Sequence, residues 1–119
     1  VLFRVDPAKN VPLSSQIAAC VRRGIADGSV HGGDRLPSAR ELATSLEVSI
    51  HTVLAGYQQL RDERLIELRR GRGATVRAGV RADRAALAEL VEQVVEAARR
   101  MDLDEDELIG LIRARARVT

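Results

Sequence analysis

The stretch Arg35-Leu36-Pro37-Ser38-Ala39-Arg40-Glu41-Leu42-Ala43, running on through Leu46 to Glu47-Val48-Ser49-Ile50-His51-Thr52-Val53, decides the fold. Ser38 with Glu41 three residues later has the form of a capping box, so the spacing predicts a short helix from about Ala39 to Leu46. Only three residues on, Ser49 is placed to cap a further helix that carries Val53, Tyr57 and Leu60 on one face. Two helices joined by so tight a turn form a helix-turn-helix.

Upstream, Leu2-Phe3-Arg4-Val5 alternates like a short strand or an arm, and Asp6-Pro7 breaks it. Asn10-Val11-Pro12 reads as a helix start with proline just inside. Leu13, Ile17, Val21 and Ile25 then recur every fourth position, with Cys20 and Gly24 alongside, as one helical face. Gly28 ends that helix, and Gly32-Gly33-Asp34 makes a turn. Downstream, Leu65-Ile66-Glu67-Leu68-Arg69 and Ala74-Thr75-Val76-Arg77 read as two strands joined by the glycine-rich turn Arg70-Gly71-Arg72-Gly73. A hairpin directly after the third helix is a wing.

Beyond the linker-like Ala78-Gly79-Val80, an apolar stripe follows helical spacing: Leu87, Leu90, Val91, Val94, Val95, Ala98 and Met101. Asp104 with Glu107 repeats the capping logic and opens a last helix bearing Leu108, Ile109, Ile112 and Ala116. The short break between these helices predicts an antiparallel pair. The expected fold is mainly α with a small β wing. A winged helix-turn-helix over residues 11–78 is followed by a two-helix hairpin over 79–119.

Composition narrows the chemistry. Of the 119 residues 45% are apolar, yet the only aromatic side chains are Phe3 and Tyr57. That disfavours stacking on single-stranded bases, which needs aromatic platforms. Cys20 is the only cysteine and excludes an internal disulfide. With only His31 and His51 beside it, no zinc spacing can be drawn, and neither metal nor cofactor is expected. Charge is uneven: residues 1–78 carry 12 basic and 8 acidic side chains, residues 79–119 carry 7 and 9. Lys9 is the sole lysine, and arginine forks onto phosphates and guanine edges better than lysine does. The asymmetry points to a nucleic-acid-facing first part and a protein-facing second part. No apolar run approaches the ~20 residues of a membrane span, and no charged-then-apolar leader opens the chain. A soluble cytoplasmic protein is expected.

In order and spacing these landmarks resemble the GntR-type bacterial regulators. The likeness rests on Pro12-Leu13, Gln16-Ile17, Gly33, Arg35 to Ser38, Arg40 to Ala43, Leu46, Val48-Ser49, Thr52-Val53, Tyr57, Leu60, Leu65-Ile66 and Gly71-Arg72-Gly73. The tail is similar to that of the short-tailed subgroup named for YtrA, whose members end in a dimerising helical hairpin. Larger relatives carry an effector-binding or aminotransferase-like domain, for which this tail leaves no room. Four positions depart from the pattern. Ile50 replaces an arginine, Glu47 replaces the turn glycine, Gly56 stands where alanine is common, and Ala74-Thr75 replaces Thr-Phe. On helix propensity alone Gly56 costs about 1 kcal/mol.

The resemblance implies a sequence-specific, DNA-binding transcription regulator, a repressor by family habit, acting as a homodimer on a palindromic operator. Arg40 is then the leading contact to a phosphate or guanine edge; a surface ion pair is its plain alternative. Ser38, Ser49 and Thr52 sit at helix starts that suit phosphate and equally suit simple capping. His51 lies at the reading end, and Ile50 can meet a thymine methyl. Arg70, Gly71, Arg72 and Gly73 would bring the wing to the backbone, unless the hairpin is merely solvated. Leu87, Leu90, Val91, Val94, Val95, Ala98, Leu108, Ile109 and Ile112 would pair two copies. Double-stranded DNA, a second copy and an unidentified small-molecule effector are the expected partners. A winged-helix protein-interaction module is the competing class. An enzyme is not expected, since no nucleophile, metal cluster or phosphate loop stands out.

Overall fold

A computed structural model describes residues 3–71 and 73–117. Its elements run α1 (Leu13–Asp27), α2 (Ala39–Leu46), α3 (Ile50–Asp62), β1 (Ile66–Arg69), β2 (Gly73–Val76), α4 (Ala82–Arg100) and α5 (Glu105–Ala116). The fold is therefore mainly helical with a two-stranded antiparallel wing, as the spacing predicts. Leu2 lies outside the described residues, and Phe3 to Val5 form neither strand nor helix.

Local signals set the helix boundaries. Ser38, Ser49 and Asp104 each accept a hydrogen bond from the backbone N–H three residues on, from Glu41, Thr52 and Glu107 respectively. Each meets a donor that the first helical turn leaves unpaired. Gly28 closes α1 in the left-handed region at φ 84°. Glu47 closes α2 at φ 58° and ψ 44°, so a residue with a Cβ makes a left-handed turn where the resemblance leads one to expect glycine.

The chain divides into two compact units, Val1–Glu89 and Leu90–Thr119. In the first, Ile17, Val21 and Ile25 of α1 meet Leu42 of α2, Val53, Tyr57 and Leu60 of α3, and Ile66, Ala74 and Val76 of the wing. Each large side chain so buried contributes about 1.5–3 kcal/mol. Gly56 sits at a close approach of α1 and α3: a Cβ there would lie 2.8 Å from the Ser14 carbonyl oxygen and 3.2 Å from Ile17 Cγ2. The glycine that looks like a propensity defect is what lets the two helices meet.

The wing has a third segment that the strand pattern does not reveal. Arg35 bridges to Thr75, with the Leu36 N–H donating to Ala74 O, Gly33 N–H to Val76 O and Val76 N–H to Asp34 O. The connection between α1 and α2 is thereby stitched to β2. Register within the hairpin pairs Ile66 with Val76 and Arg69 with Gly73.

In the second unit, α4 from Leu90 onward and α5 are joined by a tight turn but do not pack on one another as α1 and α3 do, so the antiparallel pair expected from the short break is not seen as a packed hairpin. Asp102 turns the chain at φ 53°, and the Leu103 N–H returns to Ala98 O. Ala98 is buried, Val95, Leu108 and Ile109 are half-buried, and α5 has no fully buried residue among those described.

Candidate nucleic-acid interface

The outer surface of the helix-turn-helix follows from the phase of α3. Val53, Gly56, Tyr57 and Leu60 point inward, so His51, Leu54, Ala55 and Gln58 face solvent. His51 is thus exposed at the start of the helix. Leu54, 44% exposed, is the one large apolar side chain left bare among the described residues of the winged part before α4. Leu54, Ala55 and Gln58 escape the sequence reading because attention there falls on the buried phase; the same period, read half a turn away, finds them.

Ile50 does not stand free at the first turn. It is half-buried and packs against the edge of the core. Ser49 is exposed, and its Oγ lies 2.9 Å from Thr52 Oγ1 besides accepting the Thr52 N–H. Ser38 is half-buried and engaged as the α2 cap. Capping therefore occupies both serines, while leaving them at helix N-termini.

Arg40 is exposed on α2, and no ion pair ties it down among the described residues. The two helices are locked together from behind. The buried Tyr57 hydroxyl donates to Pro37 O at 2.7 Å, and burial, with the Glu41 charge adding to it, pushes the phenol well above its ordinary pKa. The tyrosine stays a neutral donor and fixes the start of α2 over the middle of α3.

On the wing, Arg70 and Gly71 lie exposed in the turn, Gly73 opens β2, and Arg72 lies outside the described residues. Gly71 and Gly73 take φ of 79° and 71°, which favours glycine, and nothing lies within 4 Å of where a Cβ would be. The turn therefore presents bare backbone. Glu67 draws in Arg69 at 3.1 Å and Arg77 at 3.9 Å, so part of the wing's charge is neutralised locally. Arg61 joins Arg69 and Arg77 along a shallow groove with Ile66, Glu67 and Leu68.

The residues expected to pair copies are distributed unevenly. Leu87, Leu90, Val91, Val94 and Ile112 are exposed. Val95, Leu108 and Ile109 are half-buried and Ala98 is buried. Among the described residues no His, Cys, Asp and Glu cluster is arranged to hold a metal ion, and no helix is long and apolar enough to cross a membrane.

Residues 13–76 match the family described as bacterial regulatory proteins, gntR family. The HTH-type transcriptional repressor YtrA of Bacillus subtilis is 36% identical over 75 residues, covering 63% of this chain and 58% of that protein. The HTH-type transcriptional regulator Rv1152 of Mycobacterium tuberculosis is 33% identical over 105 residues, covering 88% of this chain and 86% of the relative. Among solved structures, YtrA from Sulfolobus acidocaldarius, a GntR-family transcription factor, aligns with a TM-score of 0.62 at 32% identity, over 81% of this chain and 99% of that one. Helix-turn-helix, wing and helical tail thus come together with a profile match over more than half the sequence, and the chain belongs to the gntR family of bacterial regulatory proteins, on its YtrA-like branch.

Proposed function

We propose that this protein is a sequence-specific DNA-binding transcriptional regulator, a repressor acting in the cytoplasm as a homodimer on a palindromic operator. One observation carries the reading: a tight helix-turn-helix leaves His51 and Leu54 exposed on the outward face of α3 and Arg40 exposed on α2, free of any ion pair among the described residues, with a glycine-bared wing following in the chain. Residues 11–78 form the DNA-binding part and residues 79–119 the pairing tail. Arg40, Ser38, Ser49, Thr52 and the wing residues Arg70 to Gly73 meet the phosphates, with Arg40 also within the class of side chains that read guanine. His51 and Leu54 approach base edges, and Ile50 steadies the first turn while offering its free edge to a thymine methyl.

Pairing of two copies is supported by the second unit. Two short helices of this size bury too little to stand alone. Leu90, Val91 and Val94 of α4 and Leu111 and Ile112 of α5 all remain open to solvent. A second copy supplies the missing apolar partner, and twofold pairing of recognition helices suits half-sites one helical turn apart. An unidentified small-molecule effector would bias this pairing. Repression agrees with the name of the Bacillus relative.

Selection of bound duplexes from a random pool tests the whole reading. A palindromic consensus is expected. Failure to enrich any sequence at low salt would overturn DNA recognition and leave a winged-helix protein-interaction module in its place.

A further inference from the structure

Arg22 of α1 is the largest side chain wholly removed from solvent, at 0% exposure. A guanidinium is tolerated in such a place only when its donors are met. Its Nε donates to Glu63 Oε1 at 2.7 Å and its Nη2 to Glu63 Oε2 at 2.6 Å, a bidentate fork onto the residue that caps α3. Its Nη1 donates to Glu89 Oε1 of α4 at 3.1 Å, and Gln59 Oε1 lies 3.5 Å from Nη2. Arg23 Nη2 donates to the other oxygen of Glu89, at 3.1 Å. No buried side-chain nitrogen or oxygen among the described residues is left unmatched. Burial alone would lower the pKa of Arg22, but the hydrogen bonds and charges of Glu63 and Glu89 reverse this and raise it.

Three helices therefore meet at one cation. Apolar side chains of the same volume would pack as well, or better, without removing charges from water. What they would not do is fix direction, because apolar surfaces slide whereas a planar fork with two carboxylates has one arrangement. The two helices so joined have different duties: α3 is the recognition helix, and α4 carries Leu87, Leu90, Val91 and Val94, whose exposure supports pairing. Glu89 stands within that stripe, two residues after Leu87.

We propose that Arg22 is a positioning residue that holds the recognition helix in one attitude to the root of α4, and that through Glu89 it sets the half-site spacing the dimer accepts. This rests on the dimeric DNA-binding reading above. Glu89 is the side to perturb, since Glu63 keeps Arg22 paired when Glu89 is lost.

The test repeats the random-pool selection with the full chain as wild type, Glu89→Ala and Glu89→Gln, alongside thermal melting. Wild type should enrich paired half-sites at one spacing. Glu89→Ala should recover the same half-site sequence at several spacings. Its affinity for the wild-type operator should fall about tenfold or more, since avidity is lost when both halves cannot be engaged together, while a duplex holding one half-site is bound as before. Glu89→Gln keeps an acceptor for Nη1 and should return the single spacing. If Glu89→Ala does not fold, Glu89→Leu fills the same space and carries the same comparison. Wild-type spacing retained by the Ala or Leu variant overturns the proposal, as does a parallel loss of melting temperature and half-site affinity at unchanged spacing. Enrichment of unpaired half-sites by the wild type would instead remove the dimeric reading, and this inference with it.

Discussion

Replacing Gly56 by alanine separates two effects that usually point the same way. In a helix interior alanine is favoured over glycine by about 1 kcal/mol, so propensity predicts that Gly56→Ala stabilises. The structure predicts the opposite. The new Cβ would lie 2.8 Å from the Ser14 carbonyl oxygen, a backbone atom that no side-chain rotation can withdraw, and 3.2 Å from Ile17 Cγ2. Relief requires α1 to shift away from α3, which loosens the contacts of Ile17 and Val53, both 0% exposed. Overpacking of this kind costs about 1–3 kcal/mol, and after subtracting the propensity gain a net loss of about 1 kcal/mol remains. For a unit of this size that lowers the melting temperature by about 4–8 °C. Gly110 provides the internal comparison, because it is also helical yet nothing lies within 4 Å of its would-be Cβ. Gly110→Ala should stabilise its helix by about 1 kcal/mol. Circular dichroism melts of both variants against wild type are sufficient. A rise in melting temperature for Gly56→Ala matching that for Gly110→Ala would refute the close-approach argument.

Three further outcomes are expected. Glu47→Gly should stabilise by about 1 kcal/mol, because φ 58° burdens every residue with a Cβ; the denaturation midpoint should rise at unchanged slope, and Glu47→Ala should not share the gain. Tyr57→Phe strips the donor from Pro37 O and should cost about 1–2 kcal/mol by chemical denaturation, whereas a cost near zero would mean that water replaces the hydroxyl. Arg70→Ala and Arg72→Ala should each weaken specific and non-specific duplexes alike and lower the log-log salt slope by about one; unchanged slopes in both would place the wing off the DNA.

What could be read from the sequence was local. Ser38 and Glu41, or Asp104 and Glu107, lie three residues apart, and a cap needs nothing else to declare itself. The wing was equally legible because alternation and a glycine turn are properties of a dozen neighbouring residues. The role of Gly56 is hidden for the converse reason: the space it leaves is set by Ser14 and Ile17, which are distant in sequence. Arg22 looks like one more polar residue beside Val21 until Glu63 and Glu89 are brought in from 41 and 67 positions away. The pairing of Arg35 with Thr75 is hidden likewise, since Pro37 and Ser38 advertise a helix start and not a strand. At the candidate interface, periodicity identifies the two faces of α3 but does not say how far Ile50 leans inward. Gly79, at φ 76°, marks a backbone turn, while tight packing of the first unit runs on to Glu89.

The stitching of residues 33–36 to β2 bears on the entropy of binding. Gly33, Leu36 and Val76 each commit a backbone N–H across that seam. Fixing one residue's backbone costs about 1–2 kcal/mol of conformational entropy, and here that ordering is complete once the domain has folded. On the proposed reading, a duplex meeting the wing would find its inner strand already set, with no disorder to remove there. The interaction energy of the wing would then go into contact, and a mutation that cut the seam should weaken binding without touching a residue proposed to face the DNA.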